Sequence, residues 1–320
     1  MINNNTPICI AVIGAGAIGS YYGARLTEAG HDVRFLMRRD YQAVKQSGLK
    51  ITSPDGDLIL PNPNVFSNST EIGKVDWILC SLKAISIDKA RELIKPCLKP
   101  DTRIIVLMNG LGLEEKFARL FDPNHVFGGL AFTCINREQP GHVHHLAYGQ
   151  VTIGHLKNDP IELERALALW SGSKVNVIIS PSLLCERWKK LCWNIPFNGL
   201  VVAAGGITVD RIMVNRDLRS IARRLMEEVI MVGNKDLAAH FEKFRIERDD
   251  FIKSMFDYTD NMGAYQPSSL MDFLNGRNIE VEAIFGEPLR RAEQLHVDTP
   301  QLALLTALLR EINTQLKVQS

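Results

Sequence analysis

A lysine and two asparagines recur every four residues, at Lys190, Asn194 and Asn198. On an α-helix this spacing drifts by about 40° per step, so the three side chains share one face. An ammonium group can donate a proton, and carboxamides offer donors and acceptors without adding charge. The neighbouring residues are mostly apolar, so burying this face is costly unless polar partners meet it. The alternative is that it is the solvated face of the helix.

Proline at position 196 interrupts this pattern. Pro196 cannot donate a hydrogen bond to the carbonyl of Cys192, so a kink is expected there. Such a kink is compatible with a site, but it could also displace Asn198 from the shared face.

Further polar residues stand at the ends of predicted elements. Lys83 and Asn109 each follow an apolar, strand-like run, and Glu280 opens a predicted helix. Ligands bind at the carboxyl ends of strands in open α/β sheets, so Lys83 and Asn109 are expected to face such a crevice. The alternatives are structural, because strand-end residues often cap helices and a carboxylate in a first helical turn is favoured by the helix dipole.

A glycine-rich loop near the start of the chain predicts what these residues face. The run is Gly14-Ala15-Gly16-Ala17-Ile18-Gly19, and it lies between a predicted strand and a predicted helix that ends at Gly30. In that context Gly14 permits a tight turn, Gly16 lets the backbone approach a pyrophosphate, and Gly19 lets helix and strand pack closely. The loop therefore predicts a dinucleotide site, and the alternative is a glycine-rich turn that binds nothing.

The end of the second predicted strand bears on which dinucleotide binds. Asp32–Met37 is followed by Arg38, Arg39 and Asp40. An acidic residue at this place holds the ribose hydroxyls of NAD, whereas a guanidinium suits the 2′-phosphate of NADP. The order of residues favours NADP(H), with an exposed basic turn as the alternative. A small shift of the loop would instead bring Asp40 to the ribose.

Periodicity divides the chain into two parts. Short strand-like and helical runs alternate up to residue 180, after which Ser180-Pro181-Ser182 breaks the pattern and helical periodicity takes over. We expect an N-terminal Rossmann-type doubly wound sheet over residues 1–180, followed by an all-helical domain over residues 181–320. Between Val126 and Gly154 the pattern predicts short antiparallel strands, with His142, His144 and His145 on an exposed face. No acidic or cysteine partner stands nearby, so we predict no metal site.

Composition limits the class of protein. Among 320 residues, 37 Lys and Arg nearly balance 36 Asp and Glu, so no overall charge favours nucleic acid or an anionic membrane. The first seven residues lack the pattern of a signal peptide, and no apolar run reaches the roughly 20 residues of a membrane span. The six cysteines show no C-x-x-C pair. We therefore expect a cytoplasmic protein. Its apolar helix faces would serve a homodimer or the core of a monomer.

Taken together, these segments resemble the ketopantoate reductase (2-dehydropantoate 2-reductase) family along nearly the whole chain. The resemblance is carried by Gly14–Gly19, Arg38, Leu82-Lys83-Ala84, Asn109-Gly110-x-Gly112, Trp188-x-Lys190-x-x-x-Asn194-x-x-x-Asn198, Ser268-Ser269-x-x-Asp272 and Gly276-Arg277-x-x-Glu280-Val281-Glu282. Three features depart from the family pattern. Pro196 stands inside the Lys–Asn–Asn helix, Ser86 follows Lys83 at a place where the family can carry glutamine, and the double serine leaves Ser268 or Ser269 as the matching residue.

The resemblance implies an enzyme that reduces ketopantoate to pantoate with NADPH, in the pathway to pantothenate and coenzyme A. It places substrate and nicotinamide in a cleft between a Rossmann domain and a helical domain. It implies that Lys190 is the general acid and that Glu280 is the carboxylate that assists either Lys190 or substrate binding. The keto acid would be held by Asn109, Asn194, Asn198 and Ser268. The cofactor would be held by Gly14, Ala15, Gly16, Ala17, Ile18, Gly19, Arg38, Lys83, Asn109 and Glu280.

Three other functions fit parts of the same pattern. One is an NADPH-dependent reductase of another small 2-oxo or 3-oxo acid, and another is a non-catalytic NADP-sensing relative. A third is an enzyme like the β-hydroxyacid dehydrogenases, which share the plan of a Rossmann domain and a helical domain with a helix lysine. A sensor has no chemical need for a proton donor, and Asn109-Gly110 with Gly276–Glu280 argues against the third.

Overall fold

The computed structural model describes residues 7–319, whose packing forms two compact units. The first unit runs up to Met108 and resumes with Leu113–Leu183. The second comprises Asn109–Gly112 and the chain from Leu184 onward. The change of unit thus falls after Leu183, whereas the sequence places the domain boundary after Ser180. The short stretch Asn109–Gly112 packs with the second unit although it lies within the first in sequence.

The first unit is built on one twisted sheet. Its strands in the described part of the chain are β1 (Cys9–Ile13), β2 (Asp32–Leu36), β3 (Leu49–Thr52), β4 (Leu58–Leu60), β5 (Asn64–Phe66), β6 (Val75–Cys80), β7 (Leu98–Val106), β8 (Val126–Gln139), β9 (His142–His155) and β10 (Val177–Ser180). Most are rich in β-branched and aromatic residues, which suit a pleated, buried surface.

Six parallel strands in the order β5-β2-β1-β6-β7-β8 form the centre of this sheet. The order reverses at β1, which lies between β2 and β6. Ile13 pairs with both Leu36 and Cys80, so the carboxyl ends of these three strands lie at one level. In doubly wound sheets ligands bind in the crevice at this point. The predicted Rossmann-type fold is confirmed.

The described part of the first unit has five α-helices: α1 (Ala17–Glu28), α2 (Tyr41–Ser47), α3 (Ala90–Ile94), α4 (Leu113–Ala118) and α5 (Pro160–Leu169). A 3₁₀ turn over Ala84–Lys89 precedes α3. Gly30, with φ of +96°, follows α1 in the left-handed conformation that ends many helices. The core between α1 and the sheet includes Ile10, Val12 and Phe35, all fully buried.

The region after Val126 differs from the prediction of several short strands. β8 and β9 are each 14 residues long and form a single antiparallel hairpin with three irregularities in register. Turn-forming residues inside the hairpin, such as Gly149 with φ of +105°, are absorbed at these irregularities. Turn-forming residues therefore interrupt the alternating apolar pattern of the sequence, although the strands continue through them.

The second unit is helical, as predicted. Its α-helices are α6 (Leu183–Ala203), α7 (Val209–Val214), α8 (Arg216–Ala239), α9 (Arg248–Asp260), α10 (Ser268–Leu274), α11 (Glu287–Gln294) and α12 (Pro300–Gln319), with a π-helical turn at Glu282–Gly286. Within residues 7–319, no helix combines the length and the apolar character needed to span a bilayer.

A buried ionic cluster lies inside the apolar core of the second unit. The carboxylate of Asp236 on α8 accepts hydrogen bonds from Trp188 Nε1 on α6 at 2.8 Å and from Arg291 Nη1 on α11 at 2.7 Å. Trp188 is fully buried, and only 4% of the Asp236 side chain is exposed. The cluster ties three helices together and fixes α6 two residues before Lys190.

Candidate active site

The glycine loop is held by the end of β6. Ser81 donates from its backbone N–H to Ile13 O at 2.9 Å and from its hydroxyl to Gly14 O at 2.8 Å. Gly14 has φ of +92°, and a Cβ there would lie 2.8 Å from the backbone nitrogen of Leu82. A Cβ on Gly19 would lie 2.8 Å from Gly14 O. Both glycines are therefore required by the close approach of β1, α1 and β6.

Gly16 has a different role, which suits a bound phosphate. A Cβ there would meet no other group of residues 7–319 within 4 Å, so packing does not demand glycine. Gly16 is the N-cap of α1 and supplies no side-chain cap, and the first turn of that helix carries no acidic residue. A helix N-terminus of this kind, with a bare backbone before it, accommodates a pyrophosphate. These residues fit the diphosphate of a dinucleotide.

The residues after β2 separate into exposed cations and a buried anion. Arg38 and Arg39 are exposed, and neither makes an ion pair with a described residue. Asp40 is 7% exposed, and its Oδ1 accepts a 3.0 Å bond from Arg137 Nη1 on β8. The Asp40 carboxylate is therefore already paired within the first unit. This pairing disfavours the predicted alternative in which Asp40 binds the ribose.

Lys83 lies at the same edge of the sheet, three residues after the end of β6. Its side chain is exposed, and its carbonyl accepts the N–H of Ser86 at 2.8 Å in the first turn of the 3₁₀ segment. This backbone contact orients the lysine at the carboxyl end of β6. Its role toward nicotinamide stays a prediction.

α6 carries the Lys–Asn–Asn pattern as one helix. It continues through Pro196 to Ala203, so the proline does not end it. Lys190 is half-buried, while Asn194 and Asn198 are 6% and 3% exposed. The alternative of a solvated helix face is therefore wrong for the two asparagines. The indole of Trp193 donates to Thr259 Oγ1 on α9 at 3.1 Å, which adds a second anchor on α6 beside that of Trp188.

Asn198 makes a structural contact. Its Oδ1 accepts the backbone N–H of Ser269 at 3.2 Å, which caps the first turn of α10. Ser269 is buried, whereas Ser268 is exposed. Asn198 is therefore a brace between α6 and α10 whose carboxamide nitrogen remains as a donor. Whether Ser268 binds substrate stays a prediction.

The turn with Asn109 packs directly on the segment that begins with Glu280. Leu111 donates its N–H to Ala283 O at 2.9 Å. Gly110 has φ of +120°, and a Cβ there would lie 2.6 Å from Ala283 O. The tight backbone contact requires glycine and holds half-buried Asn109 in the same unit as Glu280 and α6.

Glu280 begins this helical segment, as predicted. Its carbonyl accepts the N–H of Ile284 at 3.1 Å, and the residue is 9% exposed. The next turns are π-helical, and such turns are frequent at functional sites. Arg310 and Arg290 bind Glu282 and lower the pKa of that carboxyl to about 2, so Glu282 is an anion that fixes the turn to α11 and α12.

One of the three histidines predicted on an exposed face is buried, while His142 and His144 are half-buried. His145 is fully buried: its Nδ1 lies 2.8 Å from Ser53 Oγ and its Nε2 lies 3.0 Å from Ala147 O. Burial lowers its pKa. The prediction failed because side chains alternate along β9, so His145 shares a face with buried Val143 and packs beside the ring of Tyr21 at 4.5 Å. Across residues 7–319, no three potential metal ligands of the His, Cys, Asp or Glu type cluster together.

Two features of the site could not be found from the sequence. The pairing of Asp40 with Arg137 joins residues 97 positions apart, and the contact of Gly110 with Ala283 joins two different halves of the chain. The only local signal is the glycine at position 110, which is typical of a close backbone approach.

Comparison with known proteins gives consistent matches over both units. The family model "Ketopantoate reductase PanE/ApbA" matches residues 10–158, and "Ketopantoate reductase PanE/ApbA C terminal" matches residues 182–313. A curated 2-dehydropantoate 2-reductase from Nostoc sp. is 37% identical over 301 residues, which cover 92% of each chain.

Solved structures show the same similarity in three dimensions. The crystal structure of 2-dehydropantoate 2-reductase from Geobacter metallireducens has a TM-score of 0.91 and 39% identity, covering 95% of this chain and 99% of that one. A D-mandelate dehydrogenase with NADH and anilino(oxo)acetate has a TM-score of 0.86 and 24% identity, covering 97% and 100%. This second likeness shows a shared fold.

Proposed function

The chain belongs to the ketopantoate reductase family of oxidoreductases, and we propose that it reduces 2-dehydropantoate to pantoate with NADPH, in the pathway to pantothenate and coenzyme A. The observation that carries the proposal is that one compact unit holds Lys190 and Asn194 of α6 together with Asn109 and Glu280, which are both far from α6 in sequence. Lysine, amide and carboxylate groups are what a site that protonates a keto acid needs.

Most of the proposed cofactor contacts come from residues of the first unit. Gly14–Gly19 and the N-terminus of α1 would receive the diphosphate, Arg38 the 2′-phosphate, and Lys83 would lie near the nicotinamide. When bound, NADPH supplies a hydride to the carbonyl carbon of the substrate. Asn109 and Glu280 are further proposed contacts. We propose NADPH rather than NADH as the cofactor, because the residues after β2 present two exposed arginines and a carboxylate that is already paired.

The proton is proposed to come from Lys190. As the carbonyl carbon gains a hydride, its π electrons move to oxygen, which takes a proton from the lysine Nζ. A lysine ammonium is ordinarily protonated at neutral pH, and the carboxylate of Glu280 would favour that charged form. Asn109, Asn194, the Asn198 nitrogen and Ser268 would orient the acid. Solvent then returns the proton to Lys190.

A cytoplasmic location is part of this proposal, because none of the six cysteines forms a disulfide.

The direct test is oxidation of NADPH by the purified protein in the presence of 2-dehydropantoate. A panel of other 2-oxo and 3-oxo acids, with NADH as a parallel cofactor, identifies the preferred pair by kcat/KM. Preference for another acid would assign the enzyme to a different substrate. Binding of NADPH without turnover of any acid would favour a sensor and contradict the proposal.

Replacing Arg38 by alanine is expected to raise the KM for NADPH by about 10- to 100-fold, the size expected when hydrogen bonds to a charged group are lost. The KM for NADH should change little, because NADH has no 2′-phosphate. Arg39→Ala is the matched control, since Arg39 is equally exposed and adjacent in sequence. An unchanged cofactor preference in Arg38→Ala would remove this residue from the proposed site.

Replacing Glu280 by alanine is expected to lower kcat/KM for the keto acid by about 10²-fold, because Lys190 loses the carboxylate that favours its ammonium form. NADPH should still bind, as judged by fluorescence titration. Glu293→Ala is the control, because Glu293 is an exposed carboxylate of α11 in the same unit. Unchanged kinetics would reduce Glu280 to a residue that only begins a helix.

A further inference from the structure

A buried carboxylate lies close in sequence to the arginine proposed to bind the 2′-phosphate. Asp40 is two residues after Arg38, and its exposure is 7%. Its side chain makes no capping bond to α2, although its backbone carbonyl accepts the N–H of Val44 at 2.9 Å in the first turn of that helix. The backbone contact fixes where the carboxylate stands, and the side chain is left to another partner.

That partner comes from a distant strand. Arg137, near the end of β8, reaches Asp40 Oδ1 with Nη1 at 3.0 Å. About a third of the Arg137 side chain remains exposed, against 9% for that of Asp40. The guanidinium thus covers the carboxylate from the solvent side and cancels its charge next to two exposed arginines.

An uncovered carboxylate at this place would act against NADP in two ways. It would repel the 2′-phosphate of NADP, because charges interact more strongly in a partly desolvated site than in water. It would also offer an acceptor to a ribose 2′-hydroxyl, which is how acidic residues after the second strand select NAD. The local sequence Arg38-Arg39-Asp40 therefore contains groups that favour NADP and a group that favours NAD. Whether the Asp40 carboxylate is paired or uncovered decides which cofactor is preferred.

We propose that Arg137 is a specificity-determining positioning residue that sets the preference for NADPH by neutralising Asp40. The inference rests on the proposed function only in taking Arg38 as the 2′-phosphate site. Arg137 acts through Asp40 and needs no contact with the cofactor. A residue with a purely structural role would alter stability or weaken both cofactors equally. Arg137 is expected to change their ratio.

The experiment measures dissociation constants of NADPH and NADH by calorimetry, without substrate, for the full-length protein. Wild type is compared with Arg137→Gln, Asp40→Asn and the double variant. Arg103→Gln is the matched control, because it breaks another arginine–carboxylate pair of the first unit, between Arg103 on β7 and Glu162 on α5. In Arg137→Gln we expect the ratio Kd(NADH)/Kd(NADPH) to fall by about tenfold, with weaker NADPH and tighter NADH. Arg103→Gln should keep the wild-type ratio.

The double variant decides whether Arg137 acts through Asp40. Once the carboxylate is replaced by an amide, Arg137 has no charge to cancel, so Asp40→Asn with and without Arg137→Gln should bind with the same NADPH preference. The inference would be overturned if Kd(NADH)/Kd(NADPH) were lower in the double variant than in Asp40→Asn. It would also be overturned if this ratio were the same in Arg137→Gln as in the wild type. This comparison holds even if Arg137→Gln alone folds poorly. A wild type that prefers NADH would instead show that the proposed cofactor is wrong.

Discussion

Replacing Lys190 by alanine is expected to lower kcat by about 10²- to 10⁴-fold, the usual contribution of a general acid. The physical reason is that charge develops on the carbonyl oxygen as hydride arrives, and without the ammonium only water remains to neutralise it. The fold should tolerate the change, because Lys190 is half-buried while Trp188 and Trp193 anchor α6 by indole hydrogen bonds. Steady-state and single-turnover rates of NADPH oxidation measure the effect.

The neighbouring lysine provides the control for this prediction. Lys189 lies on the same helix and pairs with Glu186 at 2.8 Å, so Lys189→Ala removes a lysine without touching the proposed proton donor. Its kcat should stay close to the wild-type value. A folded Lys190→Ala protein that binds NADPH and turns over at the wild-type rate would assign the proton to another group.

Replacing Asp236 by alanine is expected to lower the free energy of unfolding by about 3–5 kcal/mol. The variant would leave the Arg291 guanidinium, only 10% exposed, without its shorter carboxylate contact, and the buried indole N–H of Trp188 without its acceptor. Both groups lose hydrogen bonds in an apolar core where water cannot replace them. Denaturant unfolding followed by tryptophan fluorescence gives the value.

Two further variants distinguish the stability lost with the buried ion pair from the stability lost when any carboxylate is removed. Asp257→Ala removes an exposed partner of Lys253, whose 3.7 Å contact should contribute less than about 1 kcal/mol. Combining Asp236→Ala with Arg291→Met should recover part of the stability, because no buried charge is then left unpaired. A loss for Asp236→Ala as small as that for Asp257→Ala would contradict the assigned role of the cluster.

Local patterns were sufficient for much of the fold. The apolar run before Gly14 and the glycines after it predicted β1, the turn and α1, because a strand, a positive φ and a helix start each depend on a few adjacent residues. The loss of strand signals after residue 180 likewise predicted a helical second part. The four-residue spacing of Lys190, Asn194 and Asn198 predicted a shared helix face, and the structure adds that both asparagines are buried.

Local patterns failed where a residue's environment depends on distant chain. The pattern between Val126 and Gly154 suggested short strands, but pairing along the whole hairpin keeps β8 and β9 continuous through their irregularities. His145 was grouped with His142 and His144, although alternation along a strand places it on the opposite face. Which of the two faces is buried depends on how the hairpin packs, and His145 packs against the ring of Tyr21 on α1.

The sequence by itself therefore determined the kinds of groups available: a dinucleotide loop, two arginines after the second strand, and a lysine with two asparagines on one helix face. Only the tertiary structure decided which groups are already satisfied. It pairs Asp40 with Arg137, uses the Asn198 oxygen to brace α10, and packs the Asn109 turn on the segment after Glu280. Periodicity and backbone conformation are encoded over a few residues, whereas charge compensation and close backbone approach depend on partners that the chain supplies from far away.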